Sequence, residues 1–286
     1  MQVNENKERE VLIGTDSAIF KRATKGTNAL KLKGSFRPAK KRSSFLSAKN
    51  IPPNERLILA LDVPSADEAR KVVEQLGDTV VFYKLGLQLF MAGGYFELID
   101  WLNEHNKKVF VDLKFFDVPE TVKNAVSQLK KRKPFFATVH GNDEIMKAAA
   151  SEKDGIKILA VTVLTSLDRG DLKDLGFKCD VKNLVLSRAR RALEFNCDGV
   201  ISSGLEAPML RKELGDRLLI VTPGIRPVDN TEKKPKDDQK RTTDVEEAFE
   251  NGADYIVVGR PVLKASDPVA AAKAIQQRIA KLFAVQ

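Results

Sequence analysis

The chain has 286 residues, 43% of them hydrophobic, which suits one large or two small globular domains. Its formal charge of +9 sits at one end: residues 1–50 carry twelve Lys and Arg against four acids, a balance of +8 that leaves +1 for residues 51–286. A near-neutral body argues against a nucleic-acid-binding protein. Two cysteines, Cys179 and Cys197, without a His cluster argue against a metal site, and no apolar run approaches the ~18 residues of a membrane span.

Residues 1–54 read as a basic, disordered extension, and residues 55–286 as the folded domain. Glu5, Glu8 and Glu10 and the lack of an apolar core speak against a secretory signal. Phe20 to Lys49 is basic and free of acids, the composition of an organellar transit peptide. The acidic start favours a solvated tail on a cytoplasmic protein, as do thiols suited to a reducing compartment.

From Leu57 an alternation begins. Leu57–Val63 is a continuous apolar run ending around Asp62, the pattern of a strand buried on both faces of a parallel sheet. Ser65 caps a helix to about Leu76. Val80–Leu85 is a second strand, carrying Lys84 near its end, and a helix follows from about Gln88 to His105. Lys108–Val111 opens a third strand, with a helix to about Lys131. Further strands are expected at Phe135–His140, Ile156–Val163, Gly199–Ser202, Leu218–Thr222 and Ala253–Val258. Helices fall between them near 143–151, 181–195, 206–214 and 244–251, with a last one over about 268–283. Eight strands alternating with helices over about 230 residues match a (β/α)₈ TIM barrel, with an open doubly wound sheet as the fallback.

In such a barrel the active site lies at the C-terminal ends of the strands. Those ends carry Asp62, Lys84, Asp112 and Lys114, His140, Thr165, Arg226 and Gly259-Arg260. The stretch Val111-Asp112-Leu113-Lys114-Phe115-Phe116-Asp117-Val118-Pro119 concentrates the charge. Residues two apart on a strand share a face, so Asp112 and Lys114 are expected to project together, with Asp117 in the following loop. Such a cluster is costly to bury unless its charges pair, although strand ends also carry plain surface ion pairs. Gly259-Arg260-Pro261 has the makeup of a phosphate site after the eighth strand. The polar stretch from Gly224 to Arg241 reads as a lid over that phosphate. His140 reads as a supporting or packing side chain, Trp101 as packing, His105 as exposed, and Phe90 and Phe96 as core or interface.

These pieces together resemble the orotidine 5′-monophosphate decarboxylases of the bacterial-type subgroup. The resemblance runs from Leu57 to the C-terminus. It is carried by Leu61-Asp62-Val63, Lys84-Leu85-Gly86, Asp112 to Val122, Thr162 to Ser166, Thr222 to Pro227, Asp238 to Arg241 and Gly252 to Pro261. It implies cofactor-free decarboxylation of orotidine 5′-monophosphate to UMP, the last step of pyrimidine synthesis, by a homodimer with shared active sites. By the same resemblance, Lys84, Asp112 and Lys114 are one subunit's part of a charged tetrad. Asp117, with Thr121, reaches the neighbouring subunit's site. Asp62 contacts the sugar, Thr165 the base, and Arg226, Gln239 and Arg260 the phosphate, to which Gly259 permits close backbone approach. Two features depart from the family pattern: Phe116 stands where a histidine is usual, and the lid is longer and rich in lysine.

The implied chemistry explains the residue types. Loss of CO₂ from C6 leaves an electron pair in an sp² orbital that the ring cannot delocalise, so fixed charge must stabilise it. Lys114 is the cation beside C6 and its proton donor. Two other readings stay open. Sister enzymes of this barrel superfamily share an Asp-x-Lys-x-x-Asp run and act on sugar phosphates with a metal. A non-catalytic protein that binds through its basic tail is the third.

Overall fold

The computed structural model describes residues 45–227 and 242–284. The expected extension up to residue 44 and the central part of the expected lid, with Gln239, lie outside the described residues.

Eight parallel strands close into a barrel in sequence order: β1 (Leu57–Ala60), β2 (Phe82–Leu85), β3 (Lys108–Phe115), β4 (Phe136–His140), β5 (Lys157–Val161), β6 (Gly199–Ile201), β7 (Leu219–Thr222) and β8 (Tyr255–Val258). β8 returns to β1 through the register Leu57–Ile256 to Leu59–Val258. The expected (β/α)₈ barrel is therefore the observed fold, and the open-sheet fallback is not. Alternation along each strand sorts the side chains into two cores. Ile58, Phe82, Phe110, Phe136, Leu159, Val221 and Tyr255 fill the interior. There Phe82 stacks on Phe136 at 5.3 Å, and Tyr255 meets both rings edge-on at 5.9 and 5.2 Å. Leu57, Leu59, Tyr83, Val109, Val111, Ile256 and Val258 face outward into the helical ring.

The helices are α1 (Ala66–Leu76), α2 (Leu87–Ala92), α3 (Tyr95–Glu104), α4 (Pro119–Leu129), α5 (Asp143–Ser151), α6 (Arg169–Asp174), α7 (Val181–Glu194), α8 (Ala207–Leu214), α9 (Val245–Glu250), α10 (Arg260–Leu263) and α11 (Pro268–Phe283). Three differ from the sequence reading. The single helix expected over 88–105 is broken into α2 and α3 by Gly93 and Gly94, whose φ angles of +85° and +69° no helix accommodates. α6 was not expected; Asp168 and Asp171 build a reciprocal capping box at its start. α10 was not expected either, and begins with Arg260 directly after β8.

Residues 45–54, assigned to the extension from sequence, instead lie against the foot of the barrel. The Phe45 amide donates to Glu250 O at 2.8 Å. Ser47 Oγ and Lys49 Nζ donate to the carboxylate of Asp254 at 2.5 and 3.1 Å. Asp254 opens the turn into β8 and is fully buried. It also accepts from Arg211 Nη2 at 2.6 Å and from the Ile220 amide at 2.9 Å. Gly252 makes room for that arginine: a Cβ there would lie 2.5 Å from Arg211 Cγ. Breaking a buried pair from one side strands the other charge. Asp254→Ala is expected to lower unfolding free energy by about 3–5 kcal/mol in urea titration, because Arg211 stays buried with only the exposed Asp216, 3.6 Å away, as counter-ion.

Candidate active site

The site is built around an irregularity at the end of β3. Phe110 pairs with Phe136 and Val111 with Ala137, but the next pairing is Phe115 with Val139. Four steps along β3 are thus matched by two along β4, and the surplus is a bulge holding Asp112, Leu113 and Lys114. Lys114 takes a left-handed conformation, φ +50°, which is strained for a side-chain-bearing residue. Its amide donates to Thr138 Oγ1 at 3.0 Å, and the same hydroxyl donates to Asp112 Oδ1 at 2.9 Å. The expectation that Asp112 and Lys114 project together holds, but the bulge accomplishes it rather than simple strand alternation.

Four charges then form a chain of alternating sign. Asp62 Oδ1 lies 3.6 Å from Lys84 Nζ, which is 3.4 Å from Asp112 Oδ2; Asp112 Oδ1 is 2.9 Å from Lys114 Nζ. The two inner side chains are recessed, with 13% and 12% of the Lys84 and Asp112 side chains exposed, whereas Lys114 is 35% and Asp62 53% exposed. Lys114 therefore offers its ammonium to the barrel mouth while Asp112 holds it from behind.

Burial by itself disfavours both inner charges. Desolvation pushes the Lys84 ammonium down, but Asp112 and Asp62 together outweigh it and hold the pKa above 10.5. Desolvation pushes the Asp112 carboxyl up, but Lys84 and Lys114, with the hydrogen bonds from Lys114 and Thr138, outweigh it and hold the pKa below 3.8. Both groups are charged throughout the neutral range. For a carboxylate held low, the stabilising contribution is present above 3.8 and is lost as the pH falls through the lower folded value.

The remaining expected residues that are described lie in the loops and turns that follow the strands. Asp117 is exposed in the β3–α4 loop; its Oδ1 accepts from the Val118 amide at 2.7 Å, and among the described residues it pairs with no cation. Thr121 is exposed in the first turn of α4. Thr165 is buried in the loop after β5. Gly259 caps α10, and a Cβ there would meet Ala60 Cβ and Asp62 Oδ2, both at 3.4 Å. Arg260 is exposed at the start of α10, beside the mouth. Arg226 stands at the base of the expected lid, where its amide donates to Thr243 O at 2.9 Å and the Thr243 amide to Gly224 O at 3.3 Å. Those two bonds close the stem from which residues 228–241 depart.

Phe116 lies over His140, ring centroids 4.4 Å apart, and His140 Nδ1 meets Asn142 Oδ1 at 2.7 Å. Burial lowers the His140 pKa, which keeps the imidazole neutral. His140 thus supports the β3–α4 loop, as expected. Phe90 and Phe96 are 40% exposed and pack edge-on against Tyr95. Sequence reading missed Thr138, although it is the only hydroxyl in the apolar run Phe135–Val139.

The orotidine 5′-phosphate decarboxylase / HUMPS family model matches residues 55–275. A protein of Methylococcus capsulatus named orotidine 5′-phosphate decarboxylase is 63% identical over 241 residues, spanning 84% of this chain and 98% of its own. A protein of the same name from Nitrobacter winogradskyi is 49% identical, spanning 79% and 93%. The crystal structure of orotidine 5′-phosphate decarboxylase from Lactobacillus acidophilus superposes with a TM-score of 0.69 at 35% identity, covering 79% of this chain and 99% of that one. On the match over most of its length, the chain belongs to the orotidine 5′-phosphate decarboxylase / HUMPS family.

Proposed function

We propose that the protein decarboxylates orotidine 5′-monophosphate to UMP, the last step of de novo pyrimidine synthesis, in the cytoplasm. The observation that carries this reading is the alternating chain Asp62–Lys84–Asp112–Lys114, with the Lys114 ammonium the more exposed of its two cations. Breaking the C6–carboxylate bond releases CO₂ and leaves its electron pair on C6. An ammonium already in place stabilises that pair without reorganising. Lys114 then gives its proton to C6 and is reprotonated from solvent, while Asp112 keeps it charged and aimed between turnovers. Lys84, locked between Asp62 and Asp112, fixes the Asp112 carboxylate from the other side.

We assign the sugar to Asp62, the base to Thr165, and the phosphate to Arg226, Gln239, Gly259 and Arg260. Gripping the phosphate lets binding energy remote from C6 drive lid closure and exclude water. Asp117 and Thr121 serve the site of a second copy. This accords with the Asp117 carboxylate, which meets no cation among the described residues, and with exposed apolar side chains: Leu87, Phe90 and Met91 on α2, Phe96 on α3, and Phe116 and Val118 in the β3–α4 loop. Exposed apolar groups of this extent mark interfaces.

Loss of orotate-ring absorbance on mixing protein with orotidine 5′-monophosphate in excess chelator tests the reaction. Rapid conversion to UMP is expected. No conversion by folded protein, with turnover of a pentulose phosphate on adding Mg²⁺, would move it to the metal-dependent branch. Lys114→Ala is expected to lower kcat by about 10³-fold or more with an unchanged circular-dichroism spectrum. Activity near that of the unaltered protein would remove Lys114 as proton donor. Asp117→Ala and Lys114→Ala proteins, each inactive, are expected to regain activity when mixed, because one site of the mixed dimer has both residues. Absence of recovery despite subunit exchange would refute sharing.

A further inference from the structure

We propose that Thr138 is a positioning residue of the reaction: its hydroxyl holds the β3 bulge in the one geometry that places Asp112 against Lys114. The inference rests on the assignment of Lys114 as proton donor. Thr138 is fully buried in β4, opposite the gap in the ladder between Val111–Ala137 and Phe115–Val139. Within that gap the Lys114 amide has no strand partner, and a buried amide without an acceptor is costly. Thr138 Oγ1 accepts from it at 3.0 Å. The hydroxyl has one proton, and it goes to Asp112 Oδ1 at 2.9 Å.

One oxygen therefore ties together three parts of the site. It compensates the left-handed backbone of Lys114, φ +50°. It fixes the rotation of the Asp112 carboxylate, so that Oδ1 faces Lys114 Nζ at 2.9 Å and Oδ2 faces Lys84 Nζ at 3.4 Å. It also joins the two strands where the sheet hydrogen bonds lapse. A methyl in its place would leave the amide unpaired and the carboxylate free to turn. Lys114 would remain present but no longer aimed. Thr138 touches no reacting atom in this account; it acts through Asp112 and Lys114.

Three variants separate this role from packing. Thr138→Val keeps the volume and removes the hydroxyl; Thr138→Ser keeps the hydroxyl and removes the methyl; Thr138→Ala removes both. With orotidine 5′-monophosphate, Thr138→Val is expected to lower kcat by about 10–100-fold with KM within about threefold, and Thr138→Ser to return kcat to within about threefold of the unaltered protein. The acid limb of kcat is expected to move to higher pH in Thr138→Val and back in Thr138→Ser, because Asp112 loses and regains a donor. If Thr138→Val does not fold, the Ser and Ala variants make the same comparison. A kcat that follows side-chain volume, with Ser as impaired as Ala, would overturn the proposal. So would an unaltered kcat in folded Thr138→Val alongside an inactive Lys114→Ala. An active Lys114→Ala would instead refute the proton-donor assignment itself.

Discussion

Everything at the rim depends on one buried carboxylate shared between two ammonium groups. Asp112 is recessed enough that its charge alone would be costly. Lys84 and Lys114 take one oxygen each. The result is a rigid electrostatic unit whose outermost member, Lys114, faces the open mouth. Electrostatic catalysis requires this property: the charge must stand in place before the reaction, with no reorganisation left to do.

The barrel makes that rigidity possible. β2 and β3 are central strands packed on both faces, so the backbone beneath Lys84 and Asp112 cannot yield. The aromatic plug of Phe82, Phe136 and Tyr255 fills the space below the charges and supports them from the interior. At the opposite end Asp254 plays a different part. It gathers Ser47, Lys49 and Arg211 around the start of β8 and staples the N-terminal strap to the foot. The same chemistry, a buried carboxylate between cations, closes the fold at one end and builds the site at the other.

In the β3–α4 loop Phe116 rests on His140, whose imidazole is kept neutral by burial. An apolar ring on a neutral ring holds the loop by dispersion rather than by a titrating contact.

By itself the sequence determined the architecture and singled out Asp62, Lys84, Asp112 and Lys114, which the structure brings together. Continuous apolar strands are a local pattern, and eight of them at regular spacing admit little besides a closed barrel. Asp62, Lys84 and Asp112 could be named because each ends such a run. What only the tertiary structure decided has a common cause: the partners lie far apart in the chain. Thr138 is 26 residues from Asp112, and no local periodicity marks it as the acceptor for the Lys114 amide. The bulge exists only as a mismatch between β3 and β4. The strap at 45–49 looked like a continuation of a basic tail, because its charges acquire meaning only against Asp254, 205 residues beyond Lys49. Pairing across the fold turned these from solvated polar residues into buried ones, and that long-range step is the one a linear pattern does not encode.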